Sequence, residues 1–85
     1  MNREKIIEET TKIFRQVFDD DTIVLTDEMT ANDIEGWDSL MHITLITTIQ
    51  DYFKIKFKLK EIIGLQNISE IIYLIEIKME NIKIN

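Results

Sequence analysis

Few chain breakers interrupt this 85-residue sequence: it has no proline, and its two glycines stand at Gly36 and Gly64. Helices therefore have long uninterrupted stretches in which to form, although the many isoleucines do not favour them intrinsically. What decides is the spacing of the apolar residues. Over residues 3–18, Ile6, Ile7, Thr10, Ile13, Phe14, Val17 and Phe18 fall on one stripe at helical period, with Glu4, Glu8, Glu9, Lys12 and Arg15 mostly opposite. Glu8 and Lys12 stand four apart in the supporting order. Residues 39–53 repeat the pattern with His42, Leu45, Ile46, Ile49 and Phe53, and a last helix shows Ile68, Ile71, Ile72, Ile75 and Met79. Asn67 is its expected cap, with Glu70 completing a capping box, and it is expected to fray after about Glu80.

Between these stripes the signals change. Asp19, Asp20 and Asp21 oppose the macrodipole at the end of the first helix and should stop it as a solvated cap. They do not begin a calcium loop, because Ile23 and Val24 stand where a ligand and the glycine belong. Residues 22–38 read as a long loop anchored by Ile23, Val24, Leu25, Met29 and Ile34, with a short turn of helix starting at Thr30 or Asn32 and ending near Glu35. From Phe53 to Lys60, apolar Phe53, Ile55, Phe57 and Leu59 alternate with four lysines, the pattern of a half-buried strand. A strand here has only residues 22–26 to pair with. The expectation is instead an extended connector that buries its apolar side, followed by a short helix from Leu59 that Gly64 stops.

Composition then excludes several function classes. One small domain over residues 1–85 is all the length allows. The net charge of −6 is concentrated in residues 1–42, which hold eleven acids against four Lys/Arg, so nucleic-acid binding is not expected. The lysines at 54, 56, 58 and 60 form a basic strip without the exposed aromatics of a strand-binding platform. There is no cysteine, so thiol chemistry would need an imported thiol. No apolar run reaches transmembrane length and no signal peptide is visible, which makes a cytoplasmic protein without membrane insertion the expectation.

Chemistry concentrates at Gly36-Trp37-Asp38-Ser39-Leu40, where the acidic loop meets the second helix. Gly36 marks a turn, and either Asp38 or Ser39 can cap the helix. Asp38, Ser39 and His42 supply the residue types of a triad. However, Met41 stands where a nucleophile elbow needs glycine, and Asp38 has no evident way to orient the imidazole, so a hydrolase is not expected. His42, the one histidine in a cysteine-free chain, is expected in the core or at an interface and not on a metal. A phosphodiester on Ser39 would meet free N–H groups and the positive end of the helix dipole. Read from these features alone, Ser39 as a plain cap is the simpler assignment, and a small helical protein-interaction module is the alternative function. Leu40, Met41 and Ile43 cannot all be buried on one stripe, which leaves apolar surface beside Ser39.

Asp38-Ser39-Leu40 at the head of the second helix, with the long first helix, the acidic loop and the apolar run Leu45, Ile46, Ile49 and Phe53, resembles the acyl carrier proteins over nearly the whole chain. The resemblance implies an all-α, up-and-down four-helix bundle, three main helices plus a short third one. It implies a carrier and not an enzyme. Ser39 would bear 4′-phosphopantetheine, transferred from coenzyme A by a phosphopantetheinyl transferase, and Asp38 would help position the site. The arm's thiol would hold acyl or aminoacyl groups as thioesters, passing them between activating and acyl-transferring enzymes. Leu40, Met41, Ile43, Thr44 and Thr47 would face those partners, and the protein would act as a monomer. Trp37 and the scarcity of acids on the second helix, where Asp51 stands alone, are more similar to stand-alone carriers of polyketide, aminoacyl or glycan-modification pathways than to those of primary fatty-acid synthesis.

Overall fold

The structure is a computed structural model that describes residues 1–84, with side chains described for residues 1–80. Helix α1 spans Arg3–Val17, a single 3₁₀ turn Ala31–Asp33, α2 Ser39–Phe53, α3 Leu59–Gly64 and α4 Ile68–Ile84, with no strand among the described residues. The expected four-helix, all-α architecture is what forms. α1 packs against both α2 and α4, and the core between them comes from the three predicted stripes. Ile6, Ile13 and Phe14 meet Leu45, Ile46, Ile49 and Phe53 and, from α4, Ile68, Ile71, Ile72 and Ile75. α2 carries six Ile or Thr residues in its fifteen, a poor intrinsic helix former. Burial of its inner face, worth roughly 1.5–3 kcal/mol per large apolar side chain, is what holds it. On its outer face Thr44 and Thr48 give their hydroxyls to the carbonyls of Leu40 and Thr44.

Each helix end is made by local chemistry. Asn2 caps α1 by accepting the Lys5 N–H at 2.9 Å. At its far end Asp19 takes a left-handed conformation, φ 51°, and the Asp20 N–H reaches the Arg15 carbonyl. The aspartate run is more than a solvated stop. Asp20 accepts both the N–H and the hydroxyl of Thr22, and those bonds hold its carboxyl below the usual carboxylate range. Thr30 caps the 3₁₀ turn, with Asp33 bonding back to the Thr30 N–H. α4 is capped by Asn67 as expected, whereas Glu70 reaches one residue further back, to the Gln66 N–H at 2.6 Å. The loop completes that cap: carbonyls of Asp27 and Met29 accept from Ser69 and Ile68.

Several expectations need correction. Val24 is no anchor and is 66% exposed, because the extended chain turns Ile23 and Leu25 inward and the residue between them outward. Leu59 is 69% exposed: α3 begins there, so the two-residue alternation ends after Ile55 and Phe57, and Ile62 packs on the core instead. α3 does end at Gly64, as expected, with Gly64 as its last helical residue and Leu65 as the cap. The left-handed cap in this region is Lys54, φ 58°, which ends α2. The Gln50 side chain then fixes the connector by accepting the Phe57 N–H at 2.7 Å. The expected fraying of α4 after about Glu80 lies outside the fully described residues.

Glu9, placed on the polar side by periodicity, is 8% exposed. Its carboxylate accepts the Tyr52 hydroxyl of α2 at 2.6 Å and meets the Lys12 ammonium at 3.0 Å. The Tyr52 bond first, and Lys12 next, hold its carboxyl below the usual glutamate range, while the same bond holds the Tyr52 phenol above its usual range. The signs follow from linkage. A depressed glutamate contributes stability above its unfolded value, lost as pH falls through the folded one; a raised tyrosine contributes stability that is lost as pH rises through its folded value. Tyr52→Phe should therefore flatten the melting-temperature profile at both its acid and its strongly alkaline edges, with the smallest change in slope between them. Equal profiles for the variant and the parent would show that this bond is not linked to folding.

Thr10 lies fully buried beside Glu9, and its hydroxyl has no hydrogen-bond partner. Thr10→Val keeps the shape and removes that hydroxyl. The expected gain is about 1 kcal/mol, read as a higher urea midpoint at unchanged m-value.

Candidate functional site

The turn into α2 is built from the five residues singled out in the sequence. Gly36 sits at φ 87°, a conformation that a side chain would strain. The Trp37 N–H bonds the Ile34 carbonyl at 3.3 Å and the Asp38 N–H bonds that of Gly36 at 3.1 Å. Asp38 is then the N-cap. Its backbone is extended and its carboxylate accepts the Met41 N–H at 2.9 Å, while its carbonyl accepts from His42 at 2.8 Å.

That assignment frees the next residue. Ser39 is the first residue of the helix proper, exposed, and its hydroxyl makes no hydrogen bond to any described residue. Of the two candidate caps, Asp38 does the capping. A hydroxyl so placed, at the mouth of a helix with unpaired N–H groups, fits a phosphodiester both in access and in electrostatics.

Ser39 opens onto a groove of ≈ 500 Å³ between α2 and α3, lined by Ala31, Trp37, Asp38, Ser39, His42, Ile43, Ile62, Ile63, Leu65 and Gln66. Ile43 on its rim is exposed, and outside it Leu40 is 74% exposed, with Thr44 and Thr47 also exposed and Met41 half-buried. The apolar surface expected beside Ser39 is therefore present.

Trp37 is half-buried against Phe14 and Phe18, edge-on to the first at 5.4 Å between ring centroids. His42 lies at 5.9 Å, nearly parallel to the indole, and accepts the Trp37 Nε1–H on Nδ1 at 3.1 Å. Its other nitrogen is 3.1 Å from the Ile62 carbonyl. His42 is thus half-buried at an interface, as expected, and no orienting bond from Asp38 to it exists among the described residues. Periodicity alone did not show these two bonds; a lone Trp and a lone His five apart at a helix start were the only signal.

Residues 8–75 match the family model described as the phosphopantetheine attachment site. The chain belongs to this family. Its fold is similar to that of a holo acyl carrier protein from Geobacter metallireducens solved in solution, with 46% sequence identity, a TM-score of 0.88, and coverage of 93% of this chain and 91% of that one. It is also similar to the crystal structure of an acyl carrier protein from Thermotoga maritima, at 26% identity and a TM-score of 0.83, covering 96% and 95% of the two chains. No curated protein sequence matches closely enough to count as a relative. The carriers of this family are not enzymes, and they bear a covalent 4′-phosphopantetheine. The chain has no thiol of its own, so a thioester thiol would be the arm's.

Proposed function

We propose that Ser39 carries the 4′-phosphopantetheine arm, with Asp38 holding the helix start that presents it, in a single carrier domain over residues 1–85. The observation that carries this reading is the division of labour at the helix head: Asp38 caps, and the Ser39 hydroxyl is left exposed and unbonded. When bound, the arm supplies the terminal thiol on which acyl groups ride as thioesters. The chain's own part is to display the attachment hydroxyl, to steady it on a rigid helix and to offer a surface to its enzymes. Leu40, Met41, Ile43, Thr44 and Thr47 form that surface, facing the phosphopantetheinyl transferase and the acyl- or aminoacyl-handling enzymes. The working state is a cytoplasmic monomer.

The cargo belongs to a specialised polyketide, aminoacyl or glycan-modification pathway and not to primary fatty-acid synthesis. Support comes from α2, whose outer face is apolar and hydroxylated with Asp51 its one acid, so steering toward basic enzyme patches is weak. Trp37 adds to this, filling the turn before Ser39 with an indole.

The test is intact mass after incubation with coenzyme A, magnesium and a broad-specificity phosphopantetheinyl transferase, with fragmentation to locate the modified residue. One arm's mass on the peptide containing Ser39 is expected. No gain, or a gain elsewhere, would remove the reading. Malonyl transfer to the loaded protein by a fatty-acid-synthesis malonyltransferase should be slow; transfer as fast as to that enzyme's own carrier would overturn the pathway preference.

A further inference from the structure

α3 is the least anchored wall of the groove beside Ser39. It has six residues and none is buried; Leu59 and Ile63 point to solvent. What ties it down is the half-buried Ile62, an ion pair at 3.1 Å between Glu61 and Lys78 of α4, and the bond from His42 to the Ile62 carbonyl. That carbonyl, in the last turn of a short helix, has otherwise only a long 3.4 Å contact from the Leu65 N–H.

The two bonds of His42 fix its protonation. An indole N–H can only donate, so Nδ1 must present its lone pair to Trp37. A carbonyl can only accept, so Nε2 must carry the hydrogen given to Ile62. Both bonds exist together in one species, the neutral imidazole with its proton on Nε2. A second proton on Nδ1 would set two donors against each other 3.1 Å apart, so the Trp37 bond breaks, while Nε2 keeps the hydrogen that the Ile62 carbonyl accepts.

We propose that His42 is a positioning residue which, as the neutral imidazole, latches α3 and the Trp37 turn onto α2 beside Ser39, and that protonation releases the Trp37 turn. The charged group facing His42 along the groove is Asp38 of its own helix, whose carboxylate is engaged with the Met41 N–H. α1 offers only Phe14 and Phe18, behind Trp37. The loop offers Ala31, α3 offers Ile62 and Ile63, with Glu61 turned to Lys78, and the segment before α4 offers Leu65 and Gln66. The consequence for an arm on Ser39 rests on the reading above; the latch itself does not.

The chain carries its own reporters, one tryptophan and one histidine. In the full-length protein without the arm, the Trp37 indole N–H resonance and fluorescence should titrate together with the His42 ring. The amides of the Trp37 turn, which bond the Ile34 and Gly36 carbonyls, should lose about five- to tenfold protection in the imidazolium form after correction for the intrinsic pH dependence of exchange, the worth of one hydrogen bond. His42→Gln retains an acceptor and a donor but no titration, and should flatten the step while keeping the turn protected. Trp37→Phe, which keeps the aromatic packing without the N–H, should also abolish the step. Constant protection of the Trp37 turn across the titration, or the same step in either variant, would overturn the latch. A chain that accepts no arm but shows the step would refute the carrier reading and leave the latch standing.

Discussion

Ser39→Ala should abolish arm attachment completely and leave the fold where it was. On the proposed reading the Ser39 hydroxyl is the reacting atom, so its removal gives no residual mass gain with coenzyme A and transferase. Stability is a separate readout, and here the geometry makes an unusual demand. A serine that capped α2 would cost about 1 kcal/mol when changed to alanine. Ser39 instead sits inside the first turn, bonded to nothing described, where alanine is the better helix former. The urea midpoint of Ser39→Ala should therefore match the parent to within about 0.5 kcal/mol. Asp38→Ala gives the opposite pattern, losing roughly 0.5–2 kcal/mol because the Met41 N–H loses its partner. If Ser39→Ala were the destabilising one, the cap would be Ser39, and the protein-interaction alternative would regain its ground.

Phe14→Ala is expected to be the most destabilising of the simple truncations. Phe14 is fully buried in α1, and its ring packs on Phe18 and edge-on against Trp37. Removing a buried phenyl from a packed core costs about 3–5 kcal/mol, lost transfer energy plus the cavity left behind. Against a total stability of roughly 5–15 kcal/mol, that is a large fraction for one side chain. The damage should also reach the site. Trp37 would lose its main support, so its emission should shift toward the red in the still-folded fraction, before any denaturant is added. Phe14→Leu, which refills most of the space, should recover most of the midpoint. A Phe14→Ala protein as stable as the parent would mean that the core can collapse around the gap, contrary to its close packing.

The helices were legible because their signals are local. The stripes of α1, α2 and α4 recur every three to four residues, and Asn67 acts within one turn of itself, so reading along the chain was enough. Ser39 at a helix head was legible for the same reason. The partition of capping between Asp38 and Ser39 was not, since both residue types can cap and only backbone geometry separates them. The alternation of Phe53 to Lys60 misled at Leu59 because a two-residue period says which side a residue takes only while the chain stays extended.

By itself, then, the sequence determined an all-α chain with a serine presented where α2 begins, because apolar period, caps and the lack of proline act over one or two turns. The tertiary structure alone decided what lies far apart in sequence and close in space. Glu9 is buried because Tyr52, forty-three positions later, reaches it. Leu59 faces out because Ile62 is the residue that meets the core. His42 is tied to a carbonyl twenty positions away, which no pattern along the chain encodes. Such contacts depend on how three helices pack, and packing fixes them only once the whole core has formed.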